Sequence, residues 1–133
     1  MKRIPEKLAA VIAFGIGAMA AYSGSKVLVG IDPGYHVINW LPLYNYTVGV
    51  LTLAVTAALI WRGGKLAAAL SIGTFALHAT VMTLLQTAFR DVVASESIKA
   101  MTIRLIAWGV ILVLLFVSSL LRRKVKTAHR LAA

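Results

Sequence analysis

The 133-residue chain has no cysteine, three prolines and only four acidic residues against fourteen Lys and Arg. Each shortage closes a class of function. Without thiols there is no disulfide framework, no thiol redox relay and no thiolate metal site. No Asp or Glu falls inside the long apolar runs, so the titrating intramembrane carboxylate typical of small proton-coupled exporters is missing. Histidine occurs three times, never with the H-x-x-x-H spacing of a helical metal pair. There is no nucleophile elbow and no glycine-rich phosphate loop ahead of a helix. The sequence therefore leans away from an enzyme and shows no catalytic residue. Alternating polarity is also absent from the apolar runs, which argues against a membrane β-barrel.

What is abundant is apolar. The chain is 60% hydrophobic with a mean hydropathy of +0.87, where a soluble domain averages about 45–50% apolar. The charges collect at the ends of four runs, at about residues 8–29, 37–61, 66–89 and 100–121. Each run is long enough for roughly 30 Å of hydrocarbon at about 1.5 Å per residue. The connectors are short, so successive helices are expected to be antiparallel neighbours. The expected fold class is an all-α membrane protein, an antiparallel bundle of four transmembrane helices forming one domain over 1–133. The first run has the basic start of a signal peptide but is long for one, and "VLVGI" extends it, so it is expected to remain as a helix.

Charge placement predicts orientation. Lys2, Arg3, Lys7, Arg62, Lys65, Arg122, Arg123, Lys124, Lys126 and Arg130 fall on one side, whereas Lys26, Arg90 and Lys99 fall on the other with Asp32, Asp91 and Glu96. The positive-inside rule then puts both termini in the cytoplasm of a bacterium, with the chain multi-pass in its inner membrane. The basic tail, 122–133, is expected to lie against anionic lipid and not nucleic acid. Trp40, Tyr44, Tyr46 and Trp61 are expected to anchor at the interfaces. Small residues at four-residue spacing, Ala9, Ala13, Gly17 and Ala21, form a ridge for close helix approach, with Gly49 on the second helix and Ala67 to Ala79 on the third as further small-residue surfaces.

The polar groups at membrane depth are few. His78 lies near the midplane of the third run, on a stripe with Ser71, Thr74, Met82, Gln86 and Arg90. Arg104 is about one turn into the fourth run. A polar cluster of Asn45, Gln86, Arg90, Asp91 and Arg104 is expected in the outer half of the bundle. It serves either as glue between helices or as donors to an anionic or quinone-like headgroup. The candidate ligand-binding residues are thus Arg104, Arg90, Gln86, Asn45 and His78. A second midplane histidine for a bis-His haem is lacking, and His78 with Met82 alone is a weak soft-metal pair. No metal site is predicted. No cofactor is predicted, and a quinone or lipid is the candidate ligand.

"YNYTVG", "ALHAT" and "AMTIRLIAW" resemble a group of small, uncharacterised bacterial four-helix membrane proteins. The matching positions are Asn45, Gly49, His78, Met101, Thr102, Arg104 and Trp108, within Trp40 to Trp108. The group has no assigned activity to carry over. More loosely, "SGSKV" and "GGKLAAAL" are similar to the DoxX-like membrane proteins, some of which are subunits of quinone-linked oxidoreductases, although the acidic position expected in their second helix is absent. The function expected from the sequence is that of a structural or accessory subunit of a larger membrane assembly, beside a membrane-protein partner or a second copy, with membrane lipids around it. The alternative is a lipid- or quinone-binding membrane protein with a polar site in the outer half of the bundle, for which that likeness implies a redox link; a transporter ranks below both.

Overall fold

The computed structural model describes residues 3–133. Among these the chain forms four long helices and no strand: α1 (Ile4–Leu28), α2 (Leu41–Arg62), α3 (Ala67–Gln86) and α4 (Ser95–Ala132). All four are long and apolar enough to cross a membrane. Pro5 and Pro42 sit in the first turns of α1 and α2, where a missing N–H costs least. α2 stops at Gly63, whose φ of +70° is left-handed. The Gly64 N–H then reaches the Leu59 carbonyl at 2.8 Å, and the Gly63 N–H reaches that of Ile60 at 3.0 Å. This satisfies carbonyls that the helix end would otherwise leave open.

The helix limits differ from those expected at specific signals. Residues 37–40 precede α2 as an irregular turn, and α3 gives way at Thr87 to turns running through Val92. α4 begins five residues earlier than expected and continues through the whole basic tail. No glycine or proline follows Gly109 to stop it. At about 1.5 Å per residue, its 38 residues extend roughly 57 Å, close to twice a hydrocarbon core.

α1 is the central helix, packed against α2 and α4, while α3 rests chiefly on α4. The α1–α2 contact is backbone to backbone. A Cβ placed on Gly49 would lie 2.5 Å from the Ala21 nitrogen and 2.7 Å from the Gly17 carbonyl oxygen. One placed on Gly24 would lie 2.6 Å from the Tyr46 nitrogen. The buried line on α1 is Ala9, Ala13, Gly17, Ala20 and Gly24, so the expected ridge shifts by one residue in its last turns. On α3 Ala67 packs inward, but most of the other small residues do not: Gly73 has open space around it, and Ala68, Ala69 and Ala76 are exposed. The buried line there is Ala67, Ser71, His78, Val81 and Leu85.

Two apolar clusters result. One, at the basic end, is Ala9, Ala10, Ala13, Ala57, Ile60, Ala67, Trp108 and Ile111. The other, at the opposite end, is Ile38, Leu41, Val81, Leu85 and Met101. α2 carries a π-helical stretch, Thr52–Thr56, directly after the Gly49 crossing. Such a bulge adds a residue to the turn and changes which side chains face inward.

Candidate functional site

The polar groups of the interior meet where α2, α3 and α4 converge below the second apolar cluster. Arg104 donates from Nη1 to the Asn45 side-chain oxygen at 2.5 Å. One residue earlier on α2, the Tyr44 hydroxyl meets His78 Nδ1 at 2.5 Å. The Tyr44 and His78 rings are edge-on, with centroids 5.8 Å apart. His78 also lies against Trp108, centroid to centroid 6.4 Å. His78, Arg104 and Trp108 are buried at 3%, 8% and 0% exposure. Trp108 and Arg104 fall four residues apart, on one face of α4.

The electrostatics of Arg104 are unusual. Asn45 is its sole hydrogen-bonding partner among the described residues, and no carboxylate is within ion-pair distance. A guanidinium has five N–H donors, and here one neutral oxygen receives a single one of them. The remainder of the group borders a cavity of about 90 Å³ between the ends of α1, α2 and α4. Its polar lining is Ser23, Tyr35, Asn45, Ser97 and Arg104, and its apolar wall includes Leu41 and Met101. Behind Arg104 and Asn45 a second, much smaller void of about 10 Å³ reaches Tyr44, Thr52 and His78, against the Gly17–Gly49 crossing. The Trp108 Nε1–H is buried without a partner.

Of the five expected site residues, the structure joins Asn45 with Arg104 and puts His78 beside them. It does not bring in Gln86 or Arg90. Both are exposed, and Arg90 makes only a 3.8 Å pair with the equally exposed Asp91. The physical reason is angular drift. Eight residues along an α-helix is about 80° around its axis and twelve is about 120°, so a stripe drawn by i+4 steps from His78 rotates off the interior face. α3 also ends at Gln86. Ser71 and Thr74 satisfy themselves on the carbonyls of Ala67 and Leu70.

Tyr44 is the main residue the sequence did not assign to the site. Expected at the interface, it turns inward to His78; its signal was the adjacent Asn45, which puts two polar side chains on neighbouring faces of one turn. Trp40 packs edge-on against Tyr44 and Phe89. Trp61 does sit at a helix end, under the Lys7 ammonium at 3.7 Å from the ring centroid.

A second buried polar group lies at the other end. Glu6 is 1% exposed. Its Oε1 accepts from Ser118 Oγ at 2.8 Å and pairs with Arg122 Nη1 at 2.8 Å, while Oε2 accepts from Arg3 Nε at 3.1 Å. The sequence placed Glu6 outside the first run. The signal was that it is the one acid among the basic residues of its side.

Among the described residues, no three His, Asp or Glu side chains stand close enough together to hold a metal ion. No family model, no curated protein and no solved structure matches this chain.

Proposed function

We propose that this is a multi-pass protein of the bacterial inner membrane, an antiparallel four-helix bundle with both termini cytoplasmic. Its outer-half cavity binds a lipophilic molecule through an oxygen-rich headgroup, either an anionic lipid or a quinone. The observation that carries this is Arg104, a buried cation facing a cavity with one neutral acceptor and no counter-charge. A charge at the bilayer centre costs roughly 2.5–3.5 kcal/mol on insertion scales, and one buried in the outer half bears part of that cost unless it is paired. A phosphate or carboxylate at the cavity would supply the missing partner, and a quinone carbonyl would supply an acceptor. Tyr35 and Ser97 add hydroxyls on the same wall, and Leu41 and Met101 supply apolar surface for the rest of the molecule.

The test is mass spectrometry of full-length protein purified in mild detergent. Wild type should retain one lipid or quinone per chain at this cavity, identified in the organic extract. Arg104→Gln should retain at least about tenfold less, the loss of one charged hydrogen bond being roughly 1.5–3 kcal/mol. Ligand-free wild type, or full retention by Arg104→Gln, would defeat the proposal.

A second proposal, an accessory subunit of a larger assembly, is favoured by α3. This helix rests chiefly on α4 and leaves Ile72, Leu77 and Leu84 exposed, a face that either lipid or a partner helix would cover. It requires a stoichiometric protein in the same native mass spectrum.

A further inference from the structure

The basic end of the molecule carries a second cavity, separate from that at Arg104. It has a volume of about 290 Å³ and lies between the α2–α3 turn and α4. Lys65 and Arg122 line it together with Gly63, Gly64, Ser119 and the carboxylate of Glu6. The Arg3 guanidinium lies against Gly63 at its edge. Three cations therefore border the cavity beside one carboxylate, which pairs with two of them. Glu6 already has both oxygens engaged, by Arg3, Arg122 and Ser118, so two positive charges remain uncompensated. Gly63, with no side chain and a φ of +70°, lets the Arg3 guanidinium lie directly on the turn.

This cavity does not end at the headgroup level. Ala68, Leu115 and Ser119 also form one wall of an apolar groove of about 340 Å³, which continues inward between α3 and α4 past Ile72, Leu112 and Phe116. Along α4, Arg122 and Leu112 are ten residues apart, about 15 Å. That is half of a roughly 30 Å hydrocarbon core, the depth of one leaflet. A basic chamber at the surface opening into an apolar channel one leaflet deep is the shape of a single phospholipid.

We infer that the cleft between α3 and α4 at the basic end is a binding site for one anionic phospholipid, its phosphate held by Lys65 and Arg122 and an acyl chain lying along Ala68, Ile72, Leu112 and Phe116. Arg3 and Arg122 are each about half exposed in side-chain area, so their unused N–H donors reach the phosphate from the Glu6 pairs without breaking them. Glu6 fixes the positions of both arginines. The site is independent of the Arg104 cavity and stands or falls separately from it.

The experiment is native mass spectrometry of the full chain carrying Arg104→Gln, so that the outer cavity contributes no adduct, delipidated in detergent and titrated with dioleoyl phosphatidylglycerol or dioleoyl phosphatidylcholine, which share acyl chains and differ in net charge. A basic residue near an anionic lipid surface contributes about fivefold in affinity, so two uncompensated charges give roughly thirtyfold preference for the glycerol lipid. Lys65→Gln, which disturbs no pair of Glu6, should lower that preference about fivefold. Ala68→Phe, at an exposed position on the shared wall, should block the groove and remove the adduct of both lipids. Glycerol 3-phosphate added at millimolar concentration should not displace the lipid, because it lacks the chain. Equal binding of the two lipids, an undiminished adduct in Ala68→Phe, or displacement by glycerol 3-phosphate would each overturn the assignment.

Discussion

Replacing Gly49 by alanine adds one methyl group at the tightest helix crossing in the molecule. The new Cβ would meet the Ala21 nitrogen at 2.5 Å, the Gly17 carbonyl oxygen at 2.7 Å and the Ala21 Cα at 3.0 Å, where ordinary contacts of this kind begin near 3.4 Å. All three obstacles are backbone atoms, so no rotamer change relieves them. α1 and α2 must separate by close to 1 Å, and a gap of 0.5–1 Å already forfeits about a quarter to a half of each dispersion contact along the seam. Overpacking of this kind costs about 1–3 kcal/mol. Asn45 lies one turn before Gly49, so the displacement also disturbs its contact with Arg104. The internal control is Gly73→Ala, where nothing lies within 4 Å of the added carbon and helix propensity favours alanine by up to about 1 kcal/mol. Reversible unfolding in mixed micelles of rising SDS fraction, followed by circular dichroism, measures both variants. Gly49→Ala should lose at least about 1 kcal/mol relative to Gly73→Ala. Equal stability of the two would refute a backbone-to-backbone crossing at Gly49.

Two further outcomes follow from the buried charges. Asn45→Asp gives Arg104 the carboxylate it lacks, so the ligand-free protein should gain about 1 kcal/mol in the same unfolding assay while losing the ligand at the cavity, because the counter-charge is now internal; a destabilised variant that still binds would contradict the account of Arg104. Glu6→Leu removes the acceptor of Ser118, Arg3 and Arg122 together and should cost about 1–3 kcal/mol, discounted from the figure for a fully buried pair because both arginines reach solvent; a change below about 0.5 kcal/mol would mean that this cluster does not tie α1 to α4.

The presence of four apolar helices was legible because run length and charge placement are set by the solvent the chain must satisfy, and these survive any detail of packing. The ends were less so, since a turn such as that of residues 37–40 is as apolar as the helix it precedes. The Asn45–Arg104 pair was within reach of depth alone. An arginine one turn into a helix needs an acceptor, and Asn45 was one of the polar groups at its level. Gln86 and Arg90 shared that depth but not the azimuth, and azimuth depends on the 100° step of the helix compounded over two or three turns. Tyr44 was ambiguous for a different reason. A tyrosine near a helix start serves equally at an interface or in a core, and only the position of His78 on a neighbouring helix decides between them. The helical tail follows from what its sequence omits: no glycine or proline interrupts α4 after Gly109.

The two ends of the molecule treat buried charge in opposite ways, and the difference supports a ligand at Arg104 more than its burial alone. Glu6 has two cations and a hydroxyl arranged around both carboxylate oxygens, so nearly every lone pair has a donor and folding itself meets the cost of burying it. Arg104 has the same burial need and a single neutral oxygen. A chain that assembles three partners around one buried charge does not lack the means to place a carboxylate near another. Asn45, isosteric with aspartate, stands 2.5 Å from the guanidinium and carries no charge. If the purpose of the contact were adhesion between α2 and α4, aspartate there would bind more strongly. Asparagine orients the guanidinium without neutralising it, which keeps its charge available to whatever enters the cavity.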